Sequence, residues 1–262
     1  VSAPPPLASW YCAATLHEVQ RAGTLRRPFC HRDLVLEHRG GQLHATIGEQ
    51  WVPVVVRDDA VMVWFHPEGE HPTFDLPVLA RGRYSDSRFD FVHLATRPEH
   101  VMRDLADYAH FQGIHEYSEI EVEEDFSAAQ HRCSLTVSFA REVIPGVEGS
   151  TLPSRFTSTC WGVGYQVTEV AAPGGVQSRH RVLPTPTLPG QCRVTLGVEV
   201  GLASPVGRIP GPRRLLRRYV RGAFKKDVLM DAQLWVAVPG EQRDRQDETL
   251  ARFWDWAGRF AA

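Results

Sequence analysis

The chain has 262 residues, 43% of them hydrophobic, and its formal net charge is −2. That length buries one large core or two modest ones, and the near-neutral charge argues against polyanion binding, so nucleic acid is not an expected partner. There is no run of about eighteen apolar residues of the kind that crosses a bilayer, and Val1 to Leu7 is Pro-rich where a signal peptide would be apolar. A cytoplasmic location without membrane contact is the expectation. The five cysteines (Cys12, Cys30, Cys133, Cys160, Cys192) are odd in number and scattered, which predicts reduced thiols.

In chain order, the first eighty residues predict a small all-β unit. Leu34 to Leu36 and Gln42 to Ala45 flank Arg39-Gly40-Gly41, a hairpin signal, and Trp51 to Arg57 and Ala60 to Phe65 flank Asp58-Asp59 in the same way. From Pro98 the apolar residues Val101, Met102, Leu105, Ala106 and Ala109 recur at three-to-four spacing, which predicts a helix with Pro98 in its first turn. Further strands are expected over Cys133 to Phe139, Gly162 to Val170, His180 to Leu183 and Cys192 to Val200. Ser204 to Pro212 reads as a Pro/Gly-rich loop, Pro212 to Trp235 as a long helix and Glu248 to Phe260 as a closing amphipathic helix.

Two local features carry chemistry. The first is Asp107-Tyr-Ala-His110-Phe-Gln-Gly-Ile-His115. In an unbroken helix His110 and His115 would point roughly 140° apart, so sharing a metal requires a break, which Gly113 offers. Two imidazoles and one carboxylate make the facial triad of non-haem Fe(II). Twelve histidines in the chain also make such spacings common among ordinary surface residues. The second feature is Asp231, which falls on the apolar stripe Leu216, Val220, Phe224, Val228, Trp235 of the long helix. A carboxylate there needs a cation or hydrogen-bond donors, and either a metal or an arginine meets that need. Opposite lie Arg213, Arg214, Arg217, Arg218 and Arg221, a pattern typical of a solvated polar face.

Asp107-x-x-His110-x4-His115 resembles the D-x-x-H-x4-H signature of Rieske-type non-haem iron oxygenase catalytic subunits, in particular the steroid-hydroxylase-like branch. Asp231-Ala-Gln-Leu-Trp235 is similar to the segment carrying that branch's carboxylate ligand. Trp10-Tyr11, Arg32 to Leu36, Leu43 to Ala45, Val61 to Trp64 and Arg252 to Phe260 look like further landmarks in the same order. The resemblance implies an α+β chain in two parts. Residues 1–80 would be a truncated Rieske-like β domain, and 81–262 a helix-grip, START-like catalytic domain whose antiparallel sheet wraps a long C-terminal helix. It also implies mononuclear Fe(II) on His110, His115 and Asp231, a homotrimer, and a role for Asp107 in bridging to a cluster or in orienting His110 as an acceptor.

Two departures qualify what the resemblance implies. Between Ala45 and Trp51 the family carries the Cys2His2 set of a [2Fe-2S] cluster, but here there is only Thr-Ile-Gly-Glu-Gln, so no cluster is expected. The family's Glu-Asn before the aspartate is Arg103-Asp104. Three functions are compatible with this pattern. One is an iron enzyme oxidising a hydrophobic small molecule, as in bacterial secondary metabolism, with electrons from a separate Rieske protein, a reductase or the substrate. Another is a redox-neutral cyclase, isomerase or lyase of natural-product biosynthesis, and the third is a non-catalytic subunit of a hetero-oligomeric oxygenase.

Overall fold

A computed structural model describes residues 4–80, 83–142, 151–203, 208–236 and 247–261. Its N-terminal part is built from two antiparallel sheets. One has the order β2 (Thr24–Phe29), β3 (Arg32–Arg39), β4 (Gln42–Ile47), β5 (Gln50–Trp51), and the other runs β1 (Ser9–Thr15), β7 (Ala60–Phe65), β6 (Val54–Arg57). Both expected turns are present. Gly40 and Gly41 join β3 to β4, and Asp58 and Asp59, at φ 48° and 66°, join β6 to β7 in the left-handed conformation that two-residue hairpins require.

The remaining strands form one antiparallel sheet of seven, in the order β8 (Arg88–Leu94), β14 (Cys192–Val200), β13 (Val176–Pro186), β12 (Tyr165–Ala172), β11 (Thr151–Trp161), β10 (Arg132–Glu142), β9 (Ser118–Ala129). The long helix α4 (Pro210–Val236) packs on it, burying Val228, Ala232 and Trp235 against Val194 and Leu196. This is the α+β, helix-grip arrangement expected from the sequence. The last helix, α5 (Glu248–Ala257), starts at an Asp247 side chain that accepts from the amides of Thr249 and Leu250, which satisfies two of its free N–H groups. It seats Phe253 and Trp256 in the main core, together with Trp10, Tyr11, Phe29 and Trp64 from the N-terminal sheets. There β1 approaches so closely that a Cβ on Gly164 would collide with the Trp10 carbonyl.

Buried charge ties the two parts together. Arg181, fully buried, bonds the Asp58 carbonyl at 2.7 Å and Glu199 at 2.9 Å, and Arg179 reaches Glu199 at 3.2 Å. Arg179 and Glu199 are register partners on β13 and β14. With these groups hydrogen-bonded, the buried charges are compensated.

Four sequence expectations need correction. The helix expected from Pro98 to Ala109 stops early. The chain makes α2 (Pro98–Met102), a 3-10 turn (Arg103–Leu105) and, after a gap, the single turn α3 (His110–Gly113). The first eighty residues are not purely β, because α1 (Leu16–Ala22) is closed by a capping box between Thr15 and Glu18. The loop expected over Ser204 to Pro212 ends sooner, since α4 begins at Pro210, and 204–207 lie outside the described residues. The outward arginine row is not wholly solvated, as Arg221 is clamped to Asp90 at 2.5 and 2.6 Å. All five cysteines are free and buried, and no described helix is long and apolar enough to cross a membrane.

Candidate metal centre

The site lies between the seven-stranded sheet and α4, in a partly open cavity lined mostly by apolar side chains. His110 enters it from the one-turn helix α3, whose end is closed by the Ile114 amide bonding the His110 carbonyl at 2.7 Å. The chain then turns sharply. Glu116 sits at φ 58°, and the Tyr117 amide bonds back to the Phe111 carbonyl at 3.0 Å, which brings His115 round to the same cavity as His110. The break expected near Gly113 is therefore present, made by the end of α3 together with the left-handed Glu116. Asp231 comes from the inner face of α4, where it is only 8% exposed.

The ligand-capable atoms of His110, His115 and Asp231 all lie within 4.8 Å of one another. Asp231 Oδ1 is 2.9 Å from His115 Nε2 and 4.0 Å from His110 Nε2. Proximity does not amount to satisfaction here, because neither Asp231 Oδ1 nor His115 Nδ1 makes a hydrogen bond although both are buried. A buried carboxylate oxygen without a donor, facing two imidazole nitrogens, is a costly arrangement that a shared divalent cation relieves. The donor set fits a metal of the N,N,O type. Burial pulls the His110 imidazole below its ordinary pKa, against the opposing pull of Asp231 and Asp107, and so favours the neutral form that ligates metal.

His110 Nδ1 is oriented by Asp107, but through its backbone carbonyl. Asp107 thus meets the His110 ring through the main chain, and its charge opposes the effect of burial on that ring. The end of α4 is pinned on two sides. Trp235 Nε1 donates to Asp104, and Thr96 Oγ1 donates to the Trp235 carbonyl at 2.7 Å, so the carboxylate helix and the histidine segment are held in register.

Several cavity residues escaped the sequence reading. Tyr117 stacks on Phe139 at 4.4 Å and on His115 at 5.2 Å, which limits how the His115 ring can turn. Its hydroxyl donates to Asp227 at 3.3 Å, and Arg141 lies 3.6 Å from the same carboxylate. Asp227 was legible in principle, because it precedes Asp231 by four residues on the same helix face. Burial raises the pKa of Asp227, and burial followed by repulsion from Asp231 raises that of Asp104. On the sheet side Ser158 and Thr168 share a 2.8 Å hydrogen bond, which with Gln166 and His180 gives the wall its polar groups among apolar neighbours.

The sequence family described as the 3-ketosteroid 9alpha-hydroxylase C-terminal domain matches residues 63–240, a span that contains Asp107, His110, His115 and Asp231. The chain belongs to that family. No curated protein sequence matches it at a significant level. Among solved structures, dicamba monooxygenase bound to dicamba superposes with a TM-score of 0.69 at 15% identity over 96% of both chains. A second dicamba monooxygenase structure, with non-heme iron and dicamba, gives 0.58 at 14% identity over 96% of both. NdmA of Pseudomonas putida CBB5 with caffeine gives 0.66 at 12% identity, covering 95% of this chain and 89% of that one. These likenesses place this hydroxylase-family chain in the fold of a Rieske-type oxygenase catalytic subunit.

Proposed function

We propose that this chain is a mononuclear non-haem iron enzyme that oxidises a hydrophobic small molecule with electrons that do not pass through a cluster of its own. The observation that carries the reading is the convergence of His110, His115 and the unsatisfied Asp231 Oδ1 at one point of an apolar cavity. Bound there, Fe(II) would supply the activation of oxygen that attack on an unactivated carbon needs. The protein's own contribution is placement. Val137, Leu135, Phe156 and Val182 shape the apolar wall and exclude water, while Ser158 and Thr168 offer a hydroxyl pair to one polar group of the substrate. Tyr117 and Asp227 form a hydrogen-bonded pair that holds a proton at the cavity edge.

In this reading residues 1–80 are a scaffold without cluster ligands, and 81–262 the working domain. The electron source is a separate Rieske protein or reductase, or a substrate that yields both electrons, and a homotrimer is the assembly that the family resemblance implies. A natural-product substrate of bacterial secondary metabolism suits the cavity's largely apolar lining. A second reading, a redox-neutral cyclase or isomerase, is supported by the Tyr117–Asp227–Arg141 group, since an acid, its partner and a guanidinium beside a cavity are the parts of proton-transfer chemistry.

Product mass separates the two. Oxidation changes the mass, by addition of oxygen or loss of two hydrogens, and requires oxygen. An unchanged-mass product formed anaerobically without reductant would replace the oxidative reading by the redox-neutral one. Metal analysis of protein purified with Fe(II) is expected to give one iron per chain and no acid-labile sulfide, and a cluster signal in EPR would overturn that expectation.

A further inference from the structure

Helix α4 turns Asp227 and Asp231 inward to the cavity and a very different surface outward. Its other charged residues are all basic: Arg213, Arg214, Arg217, Arg218, Arg221, Lys225 and Lys226. This concentration stands out on a chain whose formal net charge is −2. Between the charges runs a line of residues spaced alternately four and three apart: Leu215, Tyr219, Gly222, Lys226, Leu229, Gln233 and Val236. Four of these are large apolar side chains left open to solvent, Leu215 at 71%, Tyr219 at 53%, Leu229 at 47% and Val236 at 49%. Arg221 is engaged by Asp90, while crowding by Arg88, Arg213 and Arg214 adds to partial burial in lowering the pKa of Arg217, a sign of the positive potential there.

We propose that the outer face of α4 is the docking surface for an acidic one-electron iron–sulfur protein. The proposal deepens the oxidative reading above and rests on it. Apolar residues ringed by arginine, with tyrosine among them, have the composition of a protein interface, and the charge selects and steers an acidic partner. Position decides the partner's role. Leu229, Gln233 and Lys226 lie on the side of α4 opposite Asp231, so a protein seated there is separated from the candidate metal ligands by roughly one helix diameter, about 10–12 Å. An anionic lipid layer would also use the charge and the apolar line, but it would gain nothing from facing Asp231. The electron count closes with such a partner: two reduced partners each give up one electron, two protons are taken up, one atom of O2 enters the substrate and the other leaves as water.

The test uses the full chain and an acidic plant-type [2Fe-2S] ferredoxin as probe, with binding followed by calorimetry. The expected result is binding at about 20 mM salt that weakens at least about tenfold at about 300 mM. The triple variant Arg214→Glu, Arg218→Glu, Lys226→Glu, whose side chains lie outside the cavity, is expected to lose at least about tenfold in affinity, and replacement of the two arginines by Lys is expected to retain it. Leu229→Asp, checked for native circular dichroism, is expected to weaken binding without changing its salt slope. Equal affinity of wild type and triple variant would overturn the proposal, as would binding to phosphatidylglycerol vesicles with none to ferredoxin. Turnover separates this from the oxidative reading itself. If reduced ferredoxin drives oxidation equally in both proteins, the surface is wrong and the oxidative reading stands. If the patch binds ferredoxin but product of unchanged mass forms without oxygen or donor, the electron-donor role falls with the oxidative reading.

Discussion

The main core and the α4 cavity are made from similar residues put to opposite use. In the main core Tyr11, Phe29 and Phe65 meet edge to face at 6.2 and 6.5 Å, Trp10 Nε1 has its acceptor in the Phe74 carbonyl at 2.8 Å, and the thiols are buried. Under α4 the aromatic residues instead line a space, and buried polar atoms of Asp231 and His115 are left without hydrogen bonds. Filled volume stabilises a fold even where a buried polar atom such as Tyr165 Oη or Trp256 Nε1 makes no hydrogen bond, whereas open volume with clustered unsatisfied ligand atoms prepares a site at some cost in stability. The contrast predicts that substitutions in the two regions separate stability from function.

The largest effect is expected from Phe29→Ala. This ring is fully buried between Tyr11 and Phe65, so its removal leaves a void and is expected to lower stability by about 3–5 kcal/mol. Denaturant titration measures that loss, while iron uptake by the remaining folded protein stays unchanged. Loss of iron binding in a Phe29→Ala protein that is still folded would show that the two regions are not separable.

Asp231→Ala is expected to do the reverse. Metal affinity should fall by more than the ~10–100-fold that removing an outer-sphere partner costs. Stability of the metal-free protein should change little or rise, because a buried carboxylate without a hydrogen-bond donor to one oxygen is removed. A strong destabilisation of the metal-free variant would mean that Asp231 serves the fold.

The same contrast explains what was legible in the sequence. Turns at Gly40-Gly41 and Asp58-Asp59 and the period of α4 are local signals, and each produced the expected element. Asp231 was visible because a carboxylate on an apolar stripe violates that period. The Thr15-x-x-Glu18 box that starts α1 was equally local and was passed over. The break between Pro98 and Ala109 was not readable. Its apolar spacing is helical, and the chain leaves the helix where Asp104 meets Trp235, 131 residues away, and where His110 enters the cavity. Arg179, Arg181 and Glu199 likewise become a network only once the register of β13 on β14 is set.

A smaller effect tests how strictly the cavity wall keeps charge out. His180 is on β13, stacks on Phe224 of α4 at 4.4 Å and shares a hydrogen bond with Ser178 Oγ at 3.0 Å. Burial, with a lesser push from Arg141, lowers its pKa to about 3, against an ordinary value near 6.5. Because the folded-state pKa is depressed, the unfolded chain takes up a proton between these values that the folded chain refuses. Stability from this residue is therefore complete above pH 6.5 and is lost progressively as the pH falls towards 3. At pH 5 the loss amounts to roughly 2 kcal/mol, from 1.36 kcal/mol per pH unit below 6.5. His180→Gln keeps a polar side chain for Ser178 and removes the titration, and groups elsewhere in the protein cancel in the comparison. The gap in unfolding free energy between wild type and variant is expected to shift by that amount in the variant's favour between pH 7 and pH 5. A constant gap would show that water or a counter-charge reaches the ring, and that this wall of the cavity is not the dry, neutral surface that an apolar substrate would meet.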